Sequence, residues 1–217
     1  MKLEAYVITI RDNPDSIEAA KRCIDSGKKY GIPVKHFWAY TPKNTDLKAH
    51  FAHYNLPEVN FHEKYSRLEN CMAAFSSHHA LWRMAKNEKK PILVLEHDAV
   101  FVDALPKTIF GHVVSFGKPS YGKYNESPTL GEQPLFSKRY FPGAHAYMVT
   151  PLGAAQLLKR AEIDAAPTDV FLHLDKFDRI LREFYPWPIE AHDYFTTIQN
   201  ENGCYAKHNF DENYQII

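Results

Sequence analysis

Hydrophobic residues in this chain fall into short unbroken runs, separated by stretches with helical spacing. The clearest run is Ile92, Leu93, Val94 and Leu95. Four consecutive apolar residues of strand length describe a strand buried on both faces, as in a parallel sheet. The run stops at Glu96-His97-Asp98 and turns apolar again at Ala99, Val100 and Phe101. Upstream, Ala5 to Ile10 reads as a first strand. Asn13 then offers an N-cap with Pro14 at the first helical position. Ile17, Ala20, Cys23 and Ile24 recur at helical spacing until the stretch from Gly27 to Gly31. Val34 to Ala39 gives a second strand, so the chain opens β-α-β, with a right-handed crossover between parallel strands. Thr41 to Phe61 is polar and broken by proline, an irregular loop with room for one short helical turn. Ser66 to Lys86 is the strongest helical stretch, with Leu68, Cys71, Met72, Phe75, His79, Trp82 and Ala85 on or near one stripe.

After Phe101 the pattern predicts a short helix over Ala104 to Phe110 and a strand over His112 to Phe116. Gly117 to Tyr140 has no periodicity, and loops of that length in compact domains are commonly functional lids or disordered segments. Residues 117–141 are therefore expected to form a mobile loop. Ala144 to Val149 reads as a strand, and Thr150 caps a helix that begins at Pro151 and runs to Arg160. Val170, Phe171, Leu174, Phe177, Ile180 and Leu181 predict one further helix, capped by Thr168 or Asp169. Phe184 to Ile189 is extended, and residues 190–217 form an aromatic, polar C-terminal tail. The sum is an α/β fold with a mostly parallel central sheet flanked by helices, in a single domain spanning 1–217.

Composition narrows the function. The 217 residues suffice for one full core. Charge balances at 26 Lys+Arg against 26 Asp+Glu, which argues against a strongly electrostatic binder of nucleic acid or membranes. A local basic patch at Lys118, Lys123, Lys138 and Arg139 is compatible with that total. Cys23, Cys71 and Cys204 are odd in number and lack metal-ligand spacing, as expected of free thiols in a reducing, cytoplasmic setting. Glu4 interrupts the apolar N-terminus, so no signal peptide is expected. No apolar run approaches the roughly 20 residues of a membrane span.

The candidate chemistry lies at the end of the Ile92–Leu95 strand. Ligands of open α/β sheets bind beyond the carboxyl ends of the strands. Two carboxylates one residue apart, Glu96 and Asp98, suit a hard divalent cation, Mn²⁺ or Mg²⁺, shared with substrate phosphates. A solvated turn is the plainer reading of the same residues.

Six short motifs, in order, also resemble glycosyltransferase family 25, which includes lipooligosaccharide and collagen galactosyltransferases. A strand with an Arg-containing loop matches Tyr6 to Arg11. A Ser-His-x-x-Leu-Trp helix matches Ser77-His78-His79-Ala80-Leu81-Trp82, although Ala73-Ala74 stands where Gly-Cys is usual. The acidic strand, Leu-Glu-Asp-Asp-Ala in the family, is Leu95-Glu96-His97-Asp98-Ala99. A Gly-x-x-Ala-Tyr strand with a Gly-Ala helix matches Gly143 to Tyr147 and Gly153-Ala154. Pro-x-Asp and Tyr-x-x-Pro segments match Pro167-Thr168-Asp169 and Tyr185 to Pro188.

The resemblance implies a GT-A-like nucleotide-sugar-binding fold and metal-assisted, inverting transfer, usually from a UDP-sugar. On it, Asp169 is the candidate catalytic base. Arg11, Ser77, His78, Glu96 and His97 are candidate donor-binding residues. Glu96 and Asp98 are candidate metal ligands, with His192 and Asp193 joining from the C-terminal segment. The acceptor is expected to be a glycan or small molecule. Two alternatives are transfer to hydroxylated bases of DNA, and a degenerate member that binds without turnover, for which His97 in place of an acid is the main support. Each candidate has a plainer reading as well: a core histidine at His78, a loop arginine at Arg11, an N-cap at Asp169.

Overall fold

The computed structural model describes residues 3–62, 66–178, 180–192 and 194–199 and the backbone of 215–216. Asp193 and Cys204 lie outside the described residues. The expected α/β architecture is what the chain adopts. It opens with β1 (Glu4–Thr9), α1 (Pro14–Lys29) and β2 (Val34–Trp38), followed by α2 (Leu47–His53), α3 (Leu68–Glu88), β3 (Ile92–Glu96) and β4 (Ala99–Phe101). Then come β5 (Val113–Ser115), β6 (Gly131–Pro134), β7 (Ala146–Val149) and α4 (Pro151–Asp164). Two single turns, α5 (Thr168–Phe171) and α6 (Leu174–Phe177), precede β8 (Leu181–Tyr185), β9 (Ile189–Ala191), β10 (Phe195–Thr196) and β11 (Gln215–Ile216).

Seven strands form one sheet in the order β2-β1-β3-β7-β5-β8-β6. β2, β1, β3, β5 and β8 run one way, and β7 and β6 run against them. Alternate residues of β3 explain why the sheet is covered on both faces. Ile92 and Val94 join the core under α3 and α4, whereas Leu93 and Leu95 join Ala20 and Cys23 of α1 on the other face. Asn13 caps α1 by accepting from the Ser16 amide, and Thr150 does the same for α4 at Gly153. Both sequence-read caps hold because each precedes a proline whose missing N–H costs the first turn nothing.

Four expectations differ. Residues 104–110 are not helical: Pro106 interrupts them, and the Asp103 carboxylate accepts from the Ala104 amide in a local turn. The single helix expected over Val170 to Leu181 is two short turns, because Leu181 belongs to β8. Asp169 is not the cap of α5; Pro167 holds that position. Finally, the segment 117–141 contains β6, which pairs antiparallel with β8, so it contributes an edge strand to the sheet.

Candidate functional site

The carboxyl end of β3 is organised by one buried chain of hydrogen bonds. Trp82, fully buried in α3, donates its indole N–H to the Tyr147 hydroxyl on β7 at 2.8 Å. The indole can only donate, so the Tyr147 proton is left for its other neighbour, His78 Nδ1, 2.9 Å away. His78 must then carry its own proton on Nε2, which lies 3.0 Å from Glu96 Oε1. Burial holds the His78 pKa down at about 3. The contact with Glu96 is therefore a hydrogen bond from a neutral imidazole of fixed tautomer, not an ion pair. Glu96, the last residue of β3, keeps about a quarter of its side chain exposed. Its amide donates to the His145 carbonyl just before β7.

His97 and Asp98 leave the strand in a turn. His97 Nδ1 lies 2.9 Å from the Ser16 hydroxyl, which also accepts from the Ile10 amide. The imidazole thus straps β3 to the first turn of α1, and its ring is tilted against Phe195 at 5.1 Å. Asp98 carries its charge among three imidazoles. It opposes the lowering that burial imposes on His97, His145 and His192. The Asp98 carbonyl accepts from the His192 amide, which brings the C-terminal segment to the site. His145, 2% exposed, was not singled out from the sequence. Gly143 and Ala144, both at positive φ, turn the chain into it. Its ring lies so close to Gly117 that a Cβ there would sit 2.5 Å from Nε2.

Asp98 and Glu96 offer the hard oxygen donors that suit Mg²⁺ or Mn²⁺. No group of three or more His, Cys, Asp or Glu among the described residues converges as a metal centre. The set fits a cation anchored by one or two carboxylates and otherwise held by substrate phosphates.

Two other candidates have partners of their own. Arg11 lies over the Trp38 ring at 5.2 Å, and that ring stacks on His36 at 5.0 Å. Ser77 is a structural bolt: its hydroxyl donates to the Ala73 carbonyl and accepts from the Tyr40 amide, pinning the chain after β2 to α3.

Asp169 forms a second centre along α3. Its Oδ2 accepts from the Tyr121 hydroxyl at 2.5 Å, and Oδ1 accepts from the Val170 amide at 2.9 Å. Burial raises its pKa while these bonds oppose the rise. The Asp169 charge also acts on Cys71, whose thiol burial pushes up to about 12. Cys71 bonds Ser66, which lines an open groove of about 910 Å³. Asp46, Glu58 and Glu69 face Lys48 and Arg67 around that groove, so its walls carry both signs of charge.

Three of the four cations noted in the segment 117–141 are engaged within the chain. Lys118 pairs with Glu190 at 3.0 Å, and Arg139 pairs with Asp175. Lys138 donates to the Tyr121 carbonyl at 2.8 Å and lies over the rings of Tyr121 and Tyr140.

No protein-family model matches the sequence, and no curated protein matches it. Among solved structures the chain is similar to a CTP:phosphocholine cytidylyltransferase from Streptococcus pneumoniae, with a TM-score of 0.39 and 10% identity. The match covers 87% of this chain and 92% of that one. No helix among the described residues is long and apolar enough to cross a membrane.

Proposed function

We propose that the protein is a glycosyltransferase of GT-A-like architecture. On this reading it moves a sugar from a nucleotide sugar, UDP-linked as in family 25, to an acceptor hydroxyl with inversion. One observation carries the reading. Two carboxylates, Glu96 and Asp169, are held along the same side of α3, one by His78 and the other beside Cys71. Seven residues of helix separate those two supports, about 10 Å at 1.5 Å per residue. On this reading the sugar is held between a leaving-group end at β3 and a proton-accepting end at α5.

In the proposed reaction the acceptor hydroxyl gives its proton to the Asp169 carboxylate. Its oxygen bonds to the anomeric carbon as the bond from that carbon to the diphosphate oxygen breaks, and the electron pair leaves with the diphosphate. Burial of Asp169 strengthens it as a base. Glu96, fixed by His78, orients the donor. Glu96 or Asp98 would anchor a divalent cation held mainly by the substrate phosphates, whose chemistry is to neutralise the departing diphosphate; His192 does not converge with them into a three-ligand centre. Groove walls of mixed charge suit a neutral polar acceptor such as a glycan. With Lys118, Lys138 and Arg139 already engaged, transfer to DNA has little to recommend it. The strap from His97 to Ser16 likewise gives the replaced acid a structural reason that does not require loss of activity.

The test is Asp169→Asn, which keeps the shape and one acceptor oxygen for the Val170 amide but cannot take the proton. Release of UDP from a panel of UDP-sugars should fall by roughly 10² or more, with donor affinity little changed. Equal turnover by the variant, or no UDP release by the parent with any donor and glycan acceptor, would overturn the reading.

A further inference from the structure

The two ends of the segment 117–141 meet at Tyr121, whose hydroxyl reaches Asp169. Tyr121, near the start, donates its hydroxyl to Asp169 Oδ2 at 2.5 Å. Lys138, near the end, ties the same tyrosine down: its ammonium bonds the Tyr121 carbonyl at 2.8 Å and lies 5.1 Å from the Tyr121 ring and 5.3 Å from the Tyr140 ring. Tyr140 in turn stacks on His173 at 6.0 Å, nearly parallel. His173 caps α6 through the Asp175 amide. Gly122, at φ 67°, completes the clasp, because a Cβ there would meet the Lys138 ammonium at 2.9 Å. The Tyr121 ring is therefore held by cation and aromatic contacts, and its hydroxyl is aimed at one carboxylate oxygen.

We propose that Tyr121 is the positioning residue of Asp169, with the Lys138–Tyr140 clasp holding it in place. This rests on the reading of Asp169 as the base. With Oδ1 fixed by the Val170 amide and Oδ2 by Tyr121, the carboxylate has one orientation, and a remaining lone pair is left for the acceptor hydroxyl. A hydroxyl that merely occupied the acceptor's place would need freedom to leave, and the clasp opposes that. The titratable groups around the pair are Tyr140, Lys138, His173 and Cys71. Among the described residues Tyr121 is the one that bonds Asp169 side chain to side chain, and that bond lowers the carboxyl pKa against the effect of burial.

Tyr121→Phe keeps the ring and the clasp but removes the hydroxyl. Two readouts test it. The Asp169 carboxyl, followed by ¹³C NMR with Asp169→Asn assigning the signal, should titrate at higher pH in Tyr121→Phe than in the parent. In transfer, kcat should fall about tenfold or more, as for loss of a hydrogen bond to a charged group, with KM for the donor unchanged. The acid limb of the kcat/KM profile should move to higher pH by the same amount as the carboxyl titration. Lys138→Met, which loosens the clasp, should move both readouts in the same direction by less. An unshifted carboxyl titration would overturn the positioning role whatever the activity. So would faster transfer by Tyr121→Phe, which would mean that the hydroxyl stands in the acceptor's place. If the parent transfers no sugar, the proposed function fails, and the NMR titration still decides whether Tyr121 sets the carboxylate.

Discussion

A single phenol decides the state of the β3 terminus. Tyr147 takes the Trp82 proton contact and gives its own to His78, so the imidazole presents N–H to Glu96. Removing that oxygen with Tyr147→Phe strands an indole donor and an imidazole acceptor in a fully buried position. Unpaired buried groups cost about 1–3 kcal/mol each, so a loss of about 3 kcal/mol is expected in urea denaturation. The His78 ring keeps its proton on Nε2, because the Glu96 carboxylate can only accept. ¹⁵N imidazole shifts should show Nε2–H in parent and variant alike, and Nδ1–H in the parent would disprove the ordering of the chain. His78 stood out in the sequence as a polar residue on an apolar stripe. Its partners did not, because Tyr147 is 69 positions away and helical spacing carries no information about what faces the helix. Tyr147 was nevertheless inside a quoted motif, so the signal was present without its meaning.

Elements were legible where local rules decide them. Asn13-Pro14 and Thr150-Pro151 announce helix starts, and the apolar run at β3 announces a strand covered on both faces. They were illegible where tertiary pairing decides. β6, Gly-Glu-Gln-Pro, has neither β-branched residues nor alternation, and it is a strand because β8 offers it an open edge. The reason lies on β8: Glu183, 0% exposed, accepts from the amides of Phe136 and Ser137 through one oxygen. A buried carboxylate is retained only where such donors meet it. Glu183→Ala should leave both amides without that acceptor and loosen the edge, at a cost of about 3 kcal/mol. Hydrogen exchange should speed up across residues 131–137 while α1 is unchanged. Uniform protection in the variant would show that β6 is held by its ladder alone. Asp169 was legible as a carboxylate of interest but not as part of a pair, since Tyr121 comes from a segment with no periodicity to read.

At the scale of the whole molecule, the buried histidines set the response to acid. Burial holds His78 and His79 at pKa about 3, against about 6.5 unfolded. Below pH 6.5 the unfolded chain binds protons that the folded chain refuses, so stability is present above that pH and drains away as the pH falls toward 3. At pH 5 each of the two costs about 2 kcal/mol, about 4 together, from 1.36 kcal/mol per pH unit. His50, His97, His145 and His192 are shifted the same way, and Asp169, raised by burial, acts in the opposite sense. Urea midpoints at pH 7 and pH 5 should differ accordingly; equal midpoints would mean that these rings are protonated in the native state. The reversed direction of β7 has a further consequence, for the order of events when the chain folds. β7 is the seam between a block of β2, β1 and β3 and a block of β5 and β8. Pairing Leu95 with Ala146 closes a loop of about fifty residues, whereas the β1–α1–β2 unit is complete within the first forty. Contacts so distant along the chain are paid for late. Glu96 on β3 and Tyr147 on β7, which fixes His78, straddle that seam. The nascent chain therefore holds the β2-β1-β3 block before it holds a site, and a native molecule that parts along the seam loses the site while the pairing within each block remains.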